Sequence, residues 1–350
     1  METPFRSNRI VVLTNAIIIN PPTTHRPVFI YTELCYGQTI MKELDVLVIG
    51  RNCIDYISVV DRFPREDEKV ALSARLVEGG GQGGTSACCV SRLGGKTAVL
   101  GNIGNDKEGE FCLRRLREFK VDTQYIQVIK NAKTPVAYLF VNRSNGKRTI
   151  IYEPSSLPDM DIPKELDHLL QNAKTLSLDP QTTMLGKAIK QRISSHAKLI
   201  YDCERWKDHM QDMMEVADYF IPSSAFFDST KDIFAPHQLF DNIFKLNNMV
   251  QGQLIVTHGD AGAYYPLENR LYHVPAPVVP VVDTTGAGDN FHGAFALAIS
   301  RDFDLHQAVR FSVAVSSLSC RAYGGREAVP EFDEALAMSQ SLSSEVVIKS

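Results

Sequence analysis

What this 350-residue chain lacks narrows it first. It contains no C-x-x-C pair. Its seven cysteines (Cys35, Cys53, Cys88, Cys89, Cys112, Cys203 and Cys320) are odd in number and scattered, which argues against a disulfide framework and for reduced thiols in a cytoplasmic protein. No group of Cys or His has metal-ligand spacing, and the nine histidines are dispersed. The formal net charge is only -4, so no general basic field is present for nucleic acid or for an anionic membrane surface. No apolar run reaches the roughly 20 residues of a membrane-spanning helix. The nearest to one, "IVVLTNAIII", is interrupted by Thr14 and Asn15, and no clear A-x-A cleavage site follows it. Internal repeats and low-complexity tracts are absent too.

What is present suits a globular enzyme acting on small molecules. With 44% hydrophobic and 22% charged residues, the chain can bury the core of one α/β domain. Residues 1–40 do not read like the rest, and Met41 stands directly before "KELDVLVIG". We expect 1–40 to be a loose or mis-started extension, 41–340 the folded domain and 341–350 a tail. Leu44 to Ile49 is a β-branched and leucine run suited to a strand buried on both faces. Asp55 falls just past its carboxyl end, where open α/β sheets bind ligands. Gly79, Gly81 and Gly84 formally satisfy G-x-G-x-x-G, which opens an NAD-dependent dehydrogenase as an alternative. A dinucleotide fingerprint normally follows the first strand of its domain, however, and here a strand has already passed. Between Pro135 and Tyr152 two alternating runs flank "NRSNGK", a hairpin pattern with Asn145-Gly146 at its turn. "AKTLSLD", "HAKLIYDCE" and "ADYFIPSS" then alternate with amphipathic segments, as in a parallel sheet with crossover helices.

The most telling stretch is Val281 to Ser300, "VVDTTGAGDNFHGAFALAIS". Glycines 286 and 288 flank Ala287, and apolar side chains at Phe291, Phe295, Ala298 and Ile299 mark one helix face. A helix that starts on such a turn presents bare N–H groups and a positive dipole end, so an anion should sit there. Asp289 lies on the same turn, offering a proton acceptor beside a cradle for negative charge, the pairing that phosphoryl transfer to a hydroxyl needs. His292 reads as a helix-surface or packing residue.

"DTTGAGDNFHGAF" resembles the C-terminal signature of the ribokinase-like (PfkB) carbohydrate kinases, and the resemblance extends over roughly Leu44 to Pro330. It implies a three-layer α/β/α fold with a mostly parallel central sheet and a small β-sheet lid, the lid strands lying near 51–79 and 134–152. It implies ATP and Mg2+, with Asp289 as catalytic base and the amides of Gly286, Ala287 and Gly288 as anion hole. Asp55, Gly80, Gly81, Gln82 and Thr85 match substrate-binding positions, Arg148 an anion-binding one, and Thr257, Gly259, Gly262 and Gly324 nucleotide-binding ones. Asp283 and Thr285 match a monovalent-cation site, so K+ activation is implied, as is a homodimer through the lid. The expected partners are thus a small-molecule sugar and ATP, with no nucleic acid and no membrane.

The chain also departs from the pattern. Gln82 and Thr85 stand where ribokinase and ketohexokinase carry Lys or Asn and then Asn, and Ser223-Ser224 occupies the region of the N-x-x-E that organises magnesium. Magnesium is then expected to be held through nucleotide phosphates. With Arg148 and Gly324-Gly325-Arg326, these features look most like sulfofructose kinase, with ketohexokinase next. A 6-deoxy-6-sulfofructose or other ketose kinase is expected. A nucleoside or ribose kinase, the dehydrogenase, and a non-catalytic sugar-binding regulator are the alternatives.

Overall fold

The computed structural model describes residues 43–230 and 232–349, so the extension expected at 1–40 lies outside it. In chain order the strands are β1 (Leu44–Ile49), β2 (Cys53–Val60), β3 (Ala74–Gly80), β4 (Thr97–Gly104), β5 (Ile126–Ile129), β6 (Val136–Asn142), β7 (Arg148–Glu153), β8 (Ala173–Leu178), β9 (Lys198–Cys203), β10 (Tyr219–Pro222), β11 (Gln253–Leu254), β12 (Val256–Thr257), β13 (Ala263–Leu267), β14 (Arg270–Val274) and β15 (Glu345–Lys349). The helices are α1 (Gln82–Arg92), α2 (Lys107–Glu118), α3 (Asp167–Gln171), α4 (Gly186–Lys190), α5 (Met210–Val216), α6 (Leu239–Asn247), α7 (Ala287–Ser300), α8 (Leu305–Leu318) and α9 (Phe332–Ser341).

Seven strands form the central sheet in the order β11-β10-β9-β8-β1-β4-β5, and every pairing in it is parallel. Side chains alternate along β1, so its apolar run feeds two cores. Val46 and Val48 pack with α1, α7 and α8 on one face, while Leu47 and Ile49 pack with α3, α4, α5 and α6 on the other. That two-sided burial makes the three-layer α/β/α arrangement. The chain runs from β1 outward through β4 and β5, then returns to the other side of β1 for β8 through β11. The order therefore reverses beside β1, and the carboxyl ends there open the crevice in which such sheets bind ligands.

Two smaller sheets complete the fold. In one, β3-β2-β6-β7, the outer pairs are antiparallel and β2 lies parallel to β6. Asp55 belongs to β2, opposite Glu78 and Ala137. Ile57, Leu139 and Val141 form a small core of their own under this sheet, packed against Leu76 and Tyr323. The other, β12-β13-β14-β15, is antiparallel throughout. Its last strand, β15, is built from residues expected to be a tail: Leu271 and Tyr272 take Ile348 and Val346 as register partners, so strand pairing with β14 extends the fold to the end of the described residues.

Candidate active site

The turn into α7 presents the feature on which the sequence reading relies. Gly286 takes a left-handed conformation (φ 70°) and supplies no side-chain cap to the helix. A Cβ there would lie 2.7 Å from the Cα of Gly325, so both the backbone angle and the space require glycine. Among the described residues, no protein acceptor meets the N–H groups of Gly286, Gly288 and Asp289, whereas that of Ala287 turns back to the Thr284 carbonyl at 3.3 Å. Ala287 is thus the least available of the three amides expected to form the anion hole. A Cβ on Gly288 would meet nothing within 4 Å, so the space over the bare amides is open. Bare donors and the positive helix end together make a site for an anion.

Asp289 is half-buried on the first turn of that helix. The helix is held by α1: Ser86 Oγ donates to the Asp289 carbonyl at 2.8 Å, and Gly293 lets the two backbones approach, since a Cβ there would lie 2.5 Å from the Ser86 carbonyl. The carboxyl, near ~3.9 in a free side chain, is pushed up to about 7, first by burial and then by the charge of Asp202, against the pull of His292 and Arg148. Asp202, on β9, was not singled out from the sequence. The rule that pointed to Asp55, an acid at the carboxyl end of a buried strand, would have found it in "KLIYDC". Its carboxylate lies 3.1 Å from His292 Nε2, and Gln82 Nε2 reaches it at 3.5 Å. His292, read from the sequence as a surface or packing residue, is 4% exposed and bound to that acid, so it is a packing residue with a charged neighbour.

The glycine turn lies beside this pair. Gly80 leaves room for the carboxylate of Asp55, which would be 2.1 Å from a Cβ at position 80. Burial pushes the Asp55 carboxyl up to about 6, opposed by a hydrogen bond from Cys53 Sγ (3.1 Å) and by the charges of Arg326 and Arg148. Gly81 opens α1 with φ 86°, and a Cβ there would strike the Arg51 carbonyl at 2.6 Å. Asp55, Gly80, Gly81 and Gln82 are therefore neighbours, as expected. Thr85 departs from them: it is 2% exposed, its methyl faces Gly286 and Gly325, and Arg326 Nε lies 3.5 Å from its hydroxyl. The G-x-G-x-x-G is no dinucleotide fingerprint either, because β3 is an antiparallel strand of the small sheet and not a parallel strand feeding a βαβ unit.

The hairpin between β6 and β7 rests on the α7 turn. The carbonyl of Gly146 accepts from both the N–H (3.2 Å) and the hydroxyl (3.1 Å) of Thr284, and Arg148 Nη1 donates to the same hydroxyl at 3.0 Å. Its charge is felt by Asp289 and Asp55 alike. Arg148 is thereby brought to the anion turn itself.

Other expected positions are engaged in holding the fold. Asp283 is fully buried; one carboxylate oxygen accepts from the N–H (2.8 Å) and hydroxyl (2.7 Å) of Thr285, the other from the N–H of Gly324 (3.0 Å). Three protein donors therefore meet the Asp283 carboxylate, and one of these bonds takes the amide of Gly324. Gly262 (φ 95°) has to be glycine because a Cβ would lie 2.0 Å from the Val274 carbonyl. Thr257 pairs with Ala263 in β12 and β13, and Gly259 (φ 53°) faces open space in the loop between them. Among the described residues no group of three or more His, Cys, Asp or Glu is placed to hold a metal ion, and no helix is long and apolar enough to cross a membrane.

A doubly wound α/β/α core, an open anion-binding helix start with a carboxyl beside it and a β sheet leaning over both define a kinase of small hydroxylated molecules. The chain belongs to the pfkB family carbohydrate kinases, whose pattern matches residues 43–331. Deoxyribokinase of Salmonella typhi is 25% identical over 310 residues, covering 85% of this chain and 100% of the relative. Ketohexokinase of Mus musculus is 25% identical over 303 residues, covering 81% of this chain and 98% of the relative. The solved structure of Arabidopsis thaliana ribokinase complexed with ribose and ATP shares the fold at 22% identity, with a TM-score of 0.72 over 86% of this chain and 99% of that one.

Proposed function

We propose that the protein transfers the terminal phosphoryl group of ATP to a hydroxyl of a ketose bound between the glycine turn and the β3-β2-β6-β7 sheet. The observation that carries this reading is the Asp289 carboxyl, pushed up to about 7, on the same helix turn as the unbonded amides of Gly286 and Gly288. Asp289 takes the proton of the acceptor hydroxyl, the oxygen bonds to phosphorus, and ADP leaves. The bare amides, with Arg148 above them, hold the charge on the group in transit. Asp55 and Gln82 orient the sugar hydroxyls, while Thr257 and Gly259 flank the nucleotide. Mg2+ would arrive on the nucleotide's phosphates and would supply charge neutralisation there.

For the acceptor we infer a ketose with an anionic group, of which 6-deoxy-6-sulfofructose is the leading case. Support comes from Arg148, an exposed guanidinium whose hydrogen bond goes to a hydroxyl and which no carboxylate neutralises within salt-bridge range among the described residues. A planar fork suits sulfonate or phosphate oxygens. Cytoplasmic location and a homodimer through the lid complete the proposal; β7, exposed along its whole length, is the surface for the latter. The test is a coupled ADP-release screen over ketoses, sugar phosphates, sulfosugars and nucleosides, run beside Arg148→Ala. A rise in KM confined to the anionic acceptor supports the assignment, and preference for ribose or a nucleoside with no effect of Arg148→Ala ends it.

A further inference from the structure

Three consecutive residues near the end of the domain each bond to a different part of the site. The N–H of Gly324 goes to Asp283, the carbonyl of Gly325 accepts from Asn290 Nδ2 on α7 at 2.8 Å, and Arg326 Nη2 donates to the Gly80 carbonyl at 2.8 Å. Arg326 is 2% exposed, yet among the described residues no carboxylate lies in salt-bridge range of it, and its Nη1 has no hydrogen-bond acceptor. Burying a charge so is costly, and a fold that does so usually draws something from it.

The surroundings of the guanidinium explain the run of glycines better than a ligand does. A Cβ on Gly79 would lie 2.3 Å from Nη1, and one on Gly84 2.5 Å from Nη2. Successive residues of a strand face opposite sides. Gly79 therefore makes room for Arg326 on one side of β3, and Gly80 makes room for Asp55 on the other. The turn between them is clamped from behind by a cation and faced from the front by a carboxylate.

We propose that Arg326 is a positioning residue: its fork, seated in the space left by Gly79 and Gly84, fixes the Gly80–Gln82 turn and so sets acceptor binding from the side away from the cleft. The inference rests on the reading of that turn as the acceptor site, but its geometry can be tested without any ligand. In Arg326→Gln, amide hydrogen exchange across residues 80–85 of the apoprotein is expected to quicken by at least about tenfold, with α8 unchanged. For the best acceptor in the screen, KM is expected to rise at least about tenfold while KM for ATP moves less than about twofold. Arg326→Lys, which keeps the charge and loses the fork, should restore little of either. Gly79→Ala alone should lower the melting temperature, and combining it with Arg326→Ser should recover the melting temperature but not the acceptor's KM. Unchanged exchange at 80–85 in folded Arg326→Gln, or equal changes in both KM values, would overturn the assignment. Faster exchange with no acceptor found anywhere in the screen would instead count against the sugar-kinase reading and leave the clamp standing.

Discussion

Asp289 shows how one side chain changes character between sequence and structure. The acceptor role proposed for it is suggested by "GAGD", but a free Asp is a poor base at neutral pH, and the push up to about 7 comes from burial and from Asp202, 87 positions away in the chain. Asp289→Asn keeps the shape and removes the acceptor; turnover is expected to fall at least about a hundredfold, with nucleotide affinity by calorimetry retained. In the wild type the ionised fraction grows through about pH 7, so kcat/KM should rise between about pH 6 and about pH 8. Asp202→Asn, by removing a charge that raises Asp289, should move this limb to lower pH. The same shift has a stability consequence. A carboxyl whose folded value is raised binds protons that the unfolded chain releases, so its contribution to stability is present below about pH 4 and is lost as pH rises through about 7. Apo Asp289→Asn should therefore melt above the wild type at about pH 8, and a lower melting temperature there would contradict the assigned environment.

At the scale of elements, the α7 turn separates two glycines that look alike in sequence. Gly286 has a positive φ and touches Gly325, so Gly286→Ala is expected to destabilise by more than ~1 kcal/mol in thermal melts. Gly288 has helical backbone and free space, so Gly288→Ala should stabilise by ~0.5–1 kcal/mol. Its methyl would stand over the bare amides, however, and ADP release should fall although the fold is firmer. Retained activity in Gly288→Ala would show that no anion sits there. The hairpin at Asn142–Arg148 was legible because its turn residues act locally: Gly146 (φ 66°) closes it with an N–H to the Asn142 carbonyl at 2.8 Å. What the hairpin leans on was not legible. The bonds from Thr284 to Gly146 span 138 residues, and no local pattern encodes them.

For the molecule as a whole, the proposed lid dimer makes a separate prediction. Ile150, Ile151 and Tyr152 are 48%, 53% and 70% exposed on β7, an apolar edge of the kind that recruits another strand or sheet. Ile151→Lys is expected to convert a dimer to a monomer in sedimentation without lowering the melting temperature of the α/β/α core, and a wild type that sediments as a monomer would dismiss the lid contact. The sequence alone determined what depends on near neighbours and on period: the buried run of β1, the parallel strand and helix alternation, the glycine-bounded start of α7 and the acid within it. Tertiary structure decided what depends on distant parts meeting. It brought Asp202 to His292, buried Thr85 against Gly286 and Gly325, gave Asp283 three protein donors, and placed a buried arginine beside the run of glycines. The physical reason is that hydrophobic pattern and turn preference act over a few residues, whereas charge, burial and close backbone approach are fixed only when elements far apart in the chain pack together.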